Sequence, residues 1–282
     1  MSFSIDRCVF APRSPTGRDW LPLEIIQVGI VSMSGVDKST PFTDPFWRLY
    51  RNLDPGGSVV HEGKTVTQLD PGRLVVLPPW QIWRVRHPVA GVRHIFLLVD
   101  APTLSASQVR RHFSGTQVFA EKEMRVEAAD FAAIAAEMET RRGLSAAGSC
   151  RAQAVCARIF QKMMEGPGAD LTVLPEPLPA AIQVIEERLS GDCRVPELAH
   201  AVGTNAVALN RTFRAVLHTS PAAYVRERRV SRAAELLGGS QWSIERIAAA
   251  CGFPNRNYLT RVFTQHLGIP PATYRLRRRQ WS

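Results

Sequence analysis

Arg211 and Arg261 stand fifty residues apart in matching surroundings, Leu209-Asn210-Arg211-Thr212-Phe213 and Leu259-Thr260-Arg261-Val262-Phe263. A guanidinium carries five donors in a fixed planar fork, so arginines in equivalent settings suit bidentate bonding to phosphate oxygens or guanine edges. Residues 180–282 hold 15 Arg, no Lys and 7 Asp or Glu, a surplus of eight positive charges, while the rest of the chain supplies only two of the net +10. A solvated surface in which Arg replaces Lys would give the same totals, and a phosphate or an internal carboxylate would satisfy either arginine as well as a base would.

A second set of reactive or ligand-holding groups lies in the front half: Trp47, Arg48, Trp80, Trp83, His87, His94 and Phe96. Aromatic faces beside a few polar groups suit a concave site for a sugar or an aromatic acid. Tryptophan on a strand is ordinarily core, and histidine ordinarily a satisfied structural residue. His61, His87 and His94 lack the close His-x-His spacing, with a later Glu and His, that holds iron or manganese, so no metal and no other cofactor is expected. No Ser-His-Asp, Cys-His or glycine-rich phosphate pattern stands out, and catalysis is not expected. Cys8, Cys150, Cys156, Cys193 and Cys251 are scattered and odd in number, which indicates neither a disulfide framework nor a zinc ribbon.

The arginines need elements to present them, and a repeat supplies these. Leu198-Ala199-His200-Ala201-Val202-Gly203 answers to Ile247-Ala248-Ala249-Ala250-Cys251-Gly252 at an offset of 49, and Pro221-Ala222-Ala223-Tyr224 to Pro271-Ala272-Thr273-Tyr274 at 50. One extra residue after the second glycine accounts for the difference. Each copy reads as two short helices around a tight corner: apolar spacings of three and four, a glycine to take the left-handed stop, then Asn205 or Asn255 capping a polar-faced second helix. Small residues at such a corner let two helices cross closely, the arrangement of a helix-turn-helix. Between the copies, Ser220 through Leu237 reads as a helix of about 25 Å, with Ser220 as cap, Pro221 in the first turn and Val225, Val230, Ala233, Ala234, Leu236 and Leu237 on its buried face.

The stretch IAAACGFPNRNYLTRVFTQHLGIPPATYR, from Ile247 to Arg275, resembles the second unit of the AraC/XylS DNA-binding domain, I-A-x-x-x-G-F-x-x-x-x-Y-x-x-R-x-F-x-x-x-x-G-x-x-P-x-x-Y-R. The resemblance runs from about Pro179 to Trp281, a little over a third of the chain. Arg194 stands where a Ser or Thr cap is common in the first unit. The resemblance implies two recognition helices in successive major-groove segments of promoter DNA, with base-edge contacts from Val207, Ala208, Asn210, Arg211, Arg256, Asn257, Thr260 and Arg261. The chemistry of Arg211, Arg256 and Arg261 fits guanine, that of Asn257 fits adenine, and Val207 and Ala208 can only touch thymine methyl groups. Phe213, Phe263, Tyr224 and Tyr274 read as core.

In the front half, short apolar runs alternate with turn signals: WRLY, TVTQL, RLVVL, QIWRV and HIFLLV, separated by Asp54-Pro55-Gly56-Gly57 and Asp70-Pro71-Gly72. Asp70 to Val85 resembles, more weakly, the cupin-like sensor of the same family. That resemblance favours Arg48, Trp83, His94 and Phe96 as effector contacts and implies that two following helices, one with Phe131, Ile134, Ala135 and Met138 and one with Val155, Ile159, Phe160 and Met163, pair two subunits into a homodimer.

The expected fold is α+β: an N-terminal cupin-like all-β barrel with accompanying helices over residues 1–166, a Pro- and Gly-rich linker over 167–179, and an all-α double helix-turn-helix domain over 180–282. With 45% hydrophobic and 21% charged residues and no run of about eighteen uncharged apolar residues, a cytoplasmic protein is expected; Asp6, Arg7, Arg13, Arg18 and Asp19 interrupt any signal-peptide core. The leading expectation is an effector-responsive transcription regulator, with RNA polymerase as a compatible partner and activation or repression both open. A front domain that only dimerises or docks a protein, a cupin-type enzyme fused to a DNA anchor, and a DNA-repair alkyl acceptor are the competing readings; the cysteine spacing disfavours the last.

Overall fold

The computed structural model describes residues 4–10, 23–33, 41–61, 65–86, 91–141, 143–165 and 174–279. His87, the start of the chain apart from residues 4–10, and residues 167–173 of the expected linker lie outside them. The chain is α+β, with antiparallel sheets in the front half and helices behind.

Among the described residues nine strands make two sheets: β1 (Ser4–Phe10), β2 (Glu24–Met33), β3 (Trp47–Asn52), β4 (Ser58–His61), β5 (Thr65–Gln68), β6 (Arg73–Leu77), β7 (Trp83–Arg86), β8 (Val92–Asp100) and β9 (Gln117–Ala120). The large sheet has the order β1-β2-β8-β3-β6-β9 and the small one β5-β4-β7, and every pairing is antiparallel. Successive side chains of a strand point to opposite faces, so alternation sorts the large sheet into two cores. Trp47 and Leu49 of β3, Leu74 and Val76 of β6, and Ile95, Leu97 and Val99 of β8 pack outward, against helices. Tyr50, Val75, Leu77, Phe96 and Leu98 point inward, toward Val59, Leu69 and Trp83 of the smaller sheet and its turn.

Three helices belong to this half: α1 (Ala106–His112), α2 (Arg125–Thr140) and α3 (Ala146–Glu165). The apolar residues expected at helical spacing on α2 and α3 are all buried against the outer face of the large sheet. Arg158 of α3 ties the pair by donating to Glu127 and Asp130 of α2.

Seven helices follow: α4 (Leu178–Glu187), α5 (Val195–Ala201), α6 (Ala206–Thr212), α7 (Pro221–Gly239), α8 (Ile244–Ala250), α9 (Arg256–Leu267) and α10 (Pro271–Arg279). Leu178, Ile182, Ile185, Leu198, Leu209, Phe213 and Tyr224 form a separate core for α4 to α6. Leu174, within the expected linker, is already buried in it. Val230, Ala233 and Leu237 of α7, Ile247 of α8, Leu259 and Phe263 of α9 and Tyr274 of α10 form the other, and this core is continuous with the inward face of the sheets. Truncating one of its large side chains, such as Phe263, costs about 3–5 kcal/mol by the usual cavity rule. No helix among the described residues is long and apolar enough to cross a membrane.

Candidate nucleic-acid interface

Two corners of the same build carry the exposed arginines. In α5, Pro196 occupies the first turn, and in α8 Ser243 accepts a hydrogen bond from the Arg246 amide at 3.1 Å. Arg194 makes no side-chain cap at α5 and pairs instead with Asp192 and Glu197. Both helices end on a left-handed glycine, Gly203 at φ 68° and Gly252 at φ 71°. The next amide then reaches back five residues, Thr204 to the Ala199 carbonyl and Phe253 to the Ala248 carbonyl, each at 2.9 Å. That closure satisfies carbonyls which a helix end otherwise leaves unpaired.

The second helix of each corner starts on asparagine. Asn205 accepts from the Ala208 amide and Asn255 from the Tyr258 amide, both at 2.8 Å. Such a cap contributes about 1 kcal/mol relative to alanine. Beyond the caps the repeat persists in three dimensions. Phe213 meets Tyr224 edge-on at 5.7 Å between centroids, and Phe263 meets Tyr274 in the same way at 5.3 Å.

With Leu209 and Phe213, and Leu259 and Phe263, turned inward, the opposite faces of α6 and α9 are left to solvent. Val207, Arg211, Arg256, Asn257 and Arg261 are exposed, and Ala208, Asn210 and Thr260 are half-buried beside them. Val207 is 79% exposed, which an aliphatic side chain gains nothing from in folding alone. Arg261 lies over the Tyr258 ring at 4.9 Å, and Arg256 bonds Glu245 at 2.7 Å. That contact and the backbone hold the Glu245 carboxyl below the usual range, the backbone bond being the larger cause. The helix carrying Arg211 is interrupted after Thr212 by a π turn, Phe213–Leu217, which ends on His218 in the left-handed region at φ 53°.

In the front half, Arg48, His94 and Phe96 adjoin on the inward face of the large sheet. Tyr50 is their common neighbour: Arg48 donates to its hydroxyl at 3.0 Å, and its ring lies 5.0 Å from His94 and 6.4 Å from Phe96. Phe96 also sits where any side chain at residue 29 would be, 2.5 Å from an added Cβ, so Gly29 makes room for it. Trp83 stands on the small sheet, stacked beside His61 at 4.5 Å and donating to the Pro78 carbonyl at 3.2 Å. All four residues are buried.

Arg48 is already answered by a carboxylate, since it donates to Asp44. Burial opposes its charge, but Tyr50 and Asp44 hold its pKa above the ordinary arginine value. Asp44 is shared with the second corner: Tyr274 of α10 donates to it at 3.2 Å, and Arg278 lies 3.8 Å away while also donating to Gln27. Sequence reasoning treated Tyr224 and Tyr274 as core and missed that both hydroxyls reach the front half, Tyr224 donating to the Pro102 carbonyl. A third bridge runs through α7. Arg228 donates to both oxygens of Asp100 at 2.9 and 2.6 Å and to Glu186 of α4 at 2.6 Å. Burial opposes this charge too, and the two carboxylates outweigh it.

A sequence profile described as a helix-turn-helix domain matches residues 198–277. The HTH-type transcriptional regulator GbdR of Pseudomonas aeruginosa is 32% identical over 94 residues, 33% of this chain and 26% of GbdR. The chain thus spans about a quarter of that curated relative's length. A transcriptional regulator with an AraC-type DNA-binding domain from Chromobacterium violaceum is 31% identical over 35% of this chain and 88% of its own, with a TM-score of 0.34. Apo ToxT from Vibrio cholerae shares the fold of both halves, with a TM-score of 0.57 at 11% identity over 89% of this chain and 97% of ToxT. ToxT has also been crystallised with an unsaturated fatty acid bound. Residues 198–277 thus form a helix-turn-helix domain of the AraC/XylS type, the part of the chain shared with HTH-type transcriptional regulators.

Proposed function

We propose that this protein is a sequence-specific DNA-binding transcription regulator that responds to a small-molecule effector, a sugar or an aromatic acid. The observation that carries the reading is the matched pair of polar faces on α6 and α9, presented by corners of the same build and joined by one unbroken helix. At 19 residues α7 is about 28 Å long, which suits two helices set into neighbouring major-groove segments near 34 Å apart. Val207, Ala208, Asn210 and Arg211 read one segment, and Arg256, Asn257, Thr260 and Arg261 the next. Each arginine can fork onto guanine and Asn257 onto adenine, and Val207 brings an apolar surface to thymine methyl groups.

The effector reading rests on Arg48, Trp83, His94 and Phe96, three of them gathered around Tyr50. Aromatic faces beside a few polar groups suit a sugar or an aromatic acid, and the similarly folded ToxT has been crystallised with an unsaturated fatty acid bound. The protein acts in the cytoplasm as a homodimer paired through α2 and α3, and its contacts at a promoter include RNA polymerase.

The test is selection of duplexes from a random pool by the full chain, followed by binding of variants to every single-base change in the selected site. Arg211→Ala and Arg261→Ala should each lose about 1–3 kcal/mol of discrimination at one or two base pairs and little elsewhere. Equal losses on selected and random duplex contradict the reading of α6 and α9. For the effector, sugars and aromatic and aliphatic carboxylic acids are screened by thermal shift. Arg48→Gln should abolish any response, and no response in the parent protein removes the sensor reading.

A further inference from the structure

The front half does more than sit beside the first reading helix; it closes the end of it. Ser105, the cap of α1, donates its hydroxyl to the Leu217 carbonyl at 2.6 Å, and Gln108 donates to the Val216 carbonyl at 3.2 Å. These are carbonyls of the π turn that ends the helix bearing Arg211, groups left without intrahelical partners. The Ala106 amide donates to Glu227 of α7 at 3.2 Å, which fixes α1 to the connecting helix as well. So α1 holds a set place relative to α6.

That place matters for charge. Val207, Arg211, Arg214 and His218 recur at spacings of four, three and four, and all four are exposed. They form one row running from the base-reading start of the helix to its end. Arg111 of α1 extends the row, with its Nη1 at 3.3 and 3.4 Å from the two ring nitrogens of His218. Arg111, Arg214 and His218 have no carboxylate partner among the described residues. Arg110, one residue earlier, differs: it faces Glu227, whose carboxyl it helps to stabilise. An exposed guanidinium at the end of a reading face, with no acid of its own, calls for an anion from outside. Beside a helix in a major groove the available anion is the DNA backbone.

We infer that Arg111, a residue of the sensing half, completes the first reader by contacting a DNA phosphate that flanks the bases approached by α6. The inference rests on α6 entering a major groove. It makes the DNA interface a composite of both halves of the chain, because α1 brings a charge to the duplex that residues 180–282 do not contain.

The test uses the full chain and the duplex it enriches from a random pool. Arg111→Ala should weaken binding to enriched and unrelated duplexes by the same factor and reduce the slope of log affinity against log salt by about 0.9, the effect of one phosphate contact. Arg111→Lys should restore the slope, and Arg110→Ala should leave it unchanged. On a duplex with a neutral methylphosphonate at the contacted position, the parent protein should fall to the level of Arg111→Ala, and that variant should lose nothing further. An unchanged slope in Arg111→Ala overturns the inference, as does an equal loss in Arg110→Ala, which would mark a diffuse field. A lowered melting temperature without a slope change assigns Arg111 to docking alone and overturns it too. In each of these cases Arg211→Ala and Arg261→Ala still relax preference at their own base pairs. If those two variants keep full preference, the reading of α6 and α9 fails instead.

Discussion

Arg228 shows how much one side chain of the connecting helix holds. It is buried and pairs with two carboxylates from different parts of the chain. Arg228→Ala leaves Asp100 and Glu186 facing each other without a counter-charge, and a destabilisation of about 3–5 kcal/mol is expected in urea unfolding of the full chain. A loss below 1 kcal/mol would mean that the pair is solvated in solution. The two corners were legible in the sequence because a repeat aligns them: Asn205 with Asn255 and Arg211 with Arg261 fall on equivalent turns. Arg228 was not, and neither were the hydroxyls of Tyr224 and Tyr274. Their partners, Asp100, Pro102 and Asp44, lie more than a hundred residues away, where no periodicity reaches.

Among the elements, the two corner glycines look alike in sequence and differ in surroundings. Gly203 has open space where a side chain would project, so Gly203→Ala meets only the left-handed backbone penalty, about 1–2 kcal/mol. At Gly252 an added Cβ would stand 2.6 Å from the Leu189 carbonyl and 2.8 Å from the Arg229 guanidinium, which itself bonds Leu189 and Gly191. Gly252→Ala should therefore destabilise by clearly more than Gly203→Ala, and equal melting temperatures for the two variants would refute this. Long periodic elements such as α2, α3, α7 and α9 could be read directly. The element that joins the halves, α1, was missed because it has only seven residues. Its signal was present as Ser105 with Gln108 three positions on, a capping box with both bonds made. The short strands β4 and β9 lack a full alternation and are placed by their neighbours in the sheet.

At the scale of the whole molecule, the front half meets the helices behind it through polar groups, Glu227 among them. Burial pushes the Glu227 carboxyl above its ordinary range, against the pull of the Ala106 amide and nearby arginines. A carboxyl raised in the folded state binds its proton more tightly there than in the unfolded chain. Its contribution to stability is thus complete below the ordinary carboxylate range and is lost as pH rises through the raised value. Glu227→Gln keeps an acceptor for Ala106 and removes the titration, so it should gain stability over the parent as pH climbs toward neutral, with the two converging in acid. Thermal melts of both proteins across that range decide it; a constant difference would show that Glu227 does not titrate with folding.

The cores divide unevenly between the halves. That of α8 to α10 runs without a break into the sheets, whereas α4 to α6 keep a core of their own, joined to the front by hydrogen bonds and ion pairs. Hydrogen exchange should accordingly show α4 to α6 opening together and sooner than α8 and α9. The molecule is built like a spanner, with one jaw cast in a piece with the handle and the other set on a screw. On gentle warming the screwed jaw should loosen first, so a duplex should lose protection over the half-site approached by α6 before it loses protection over the one approached by α9.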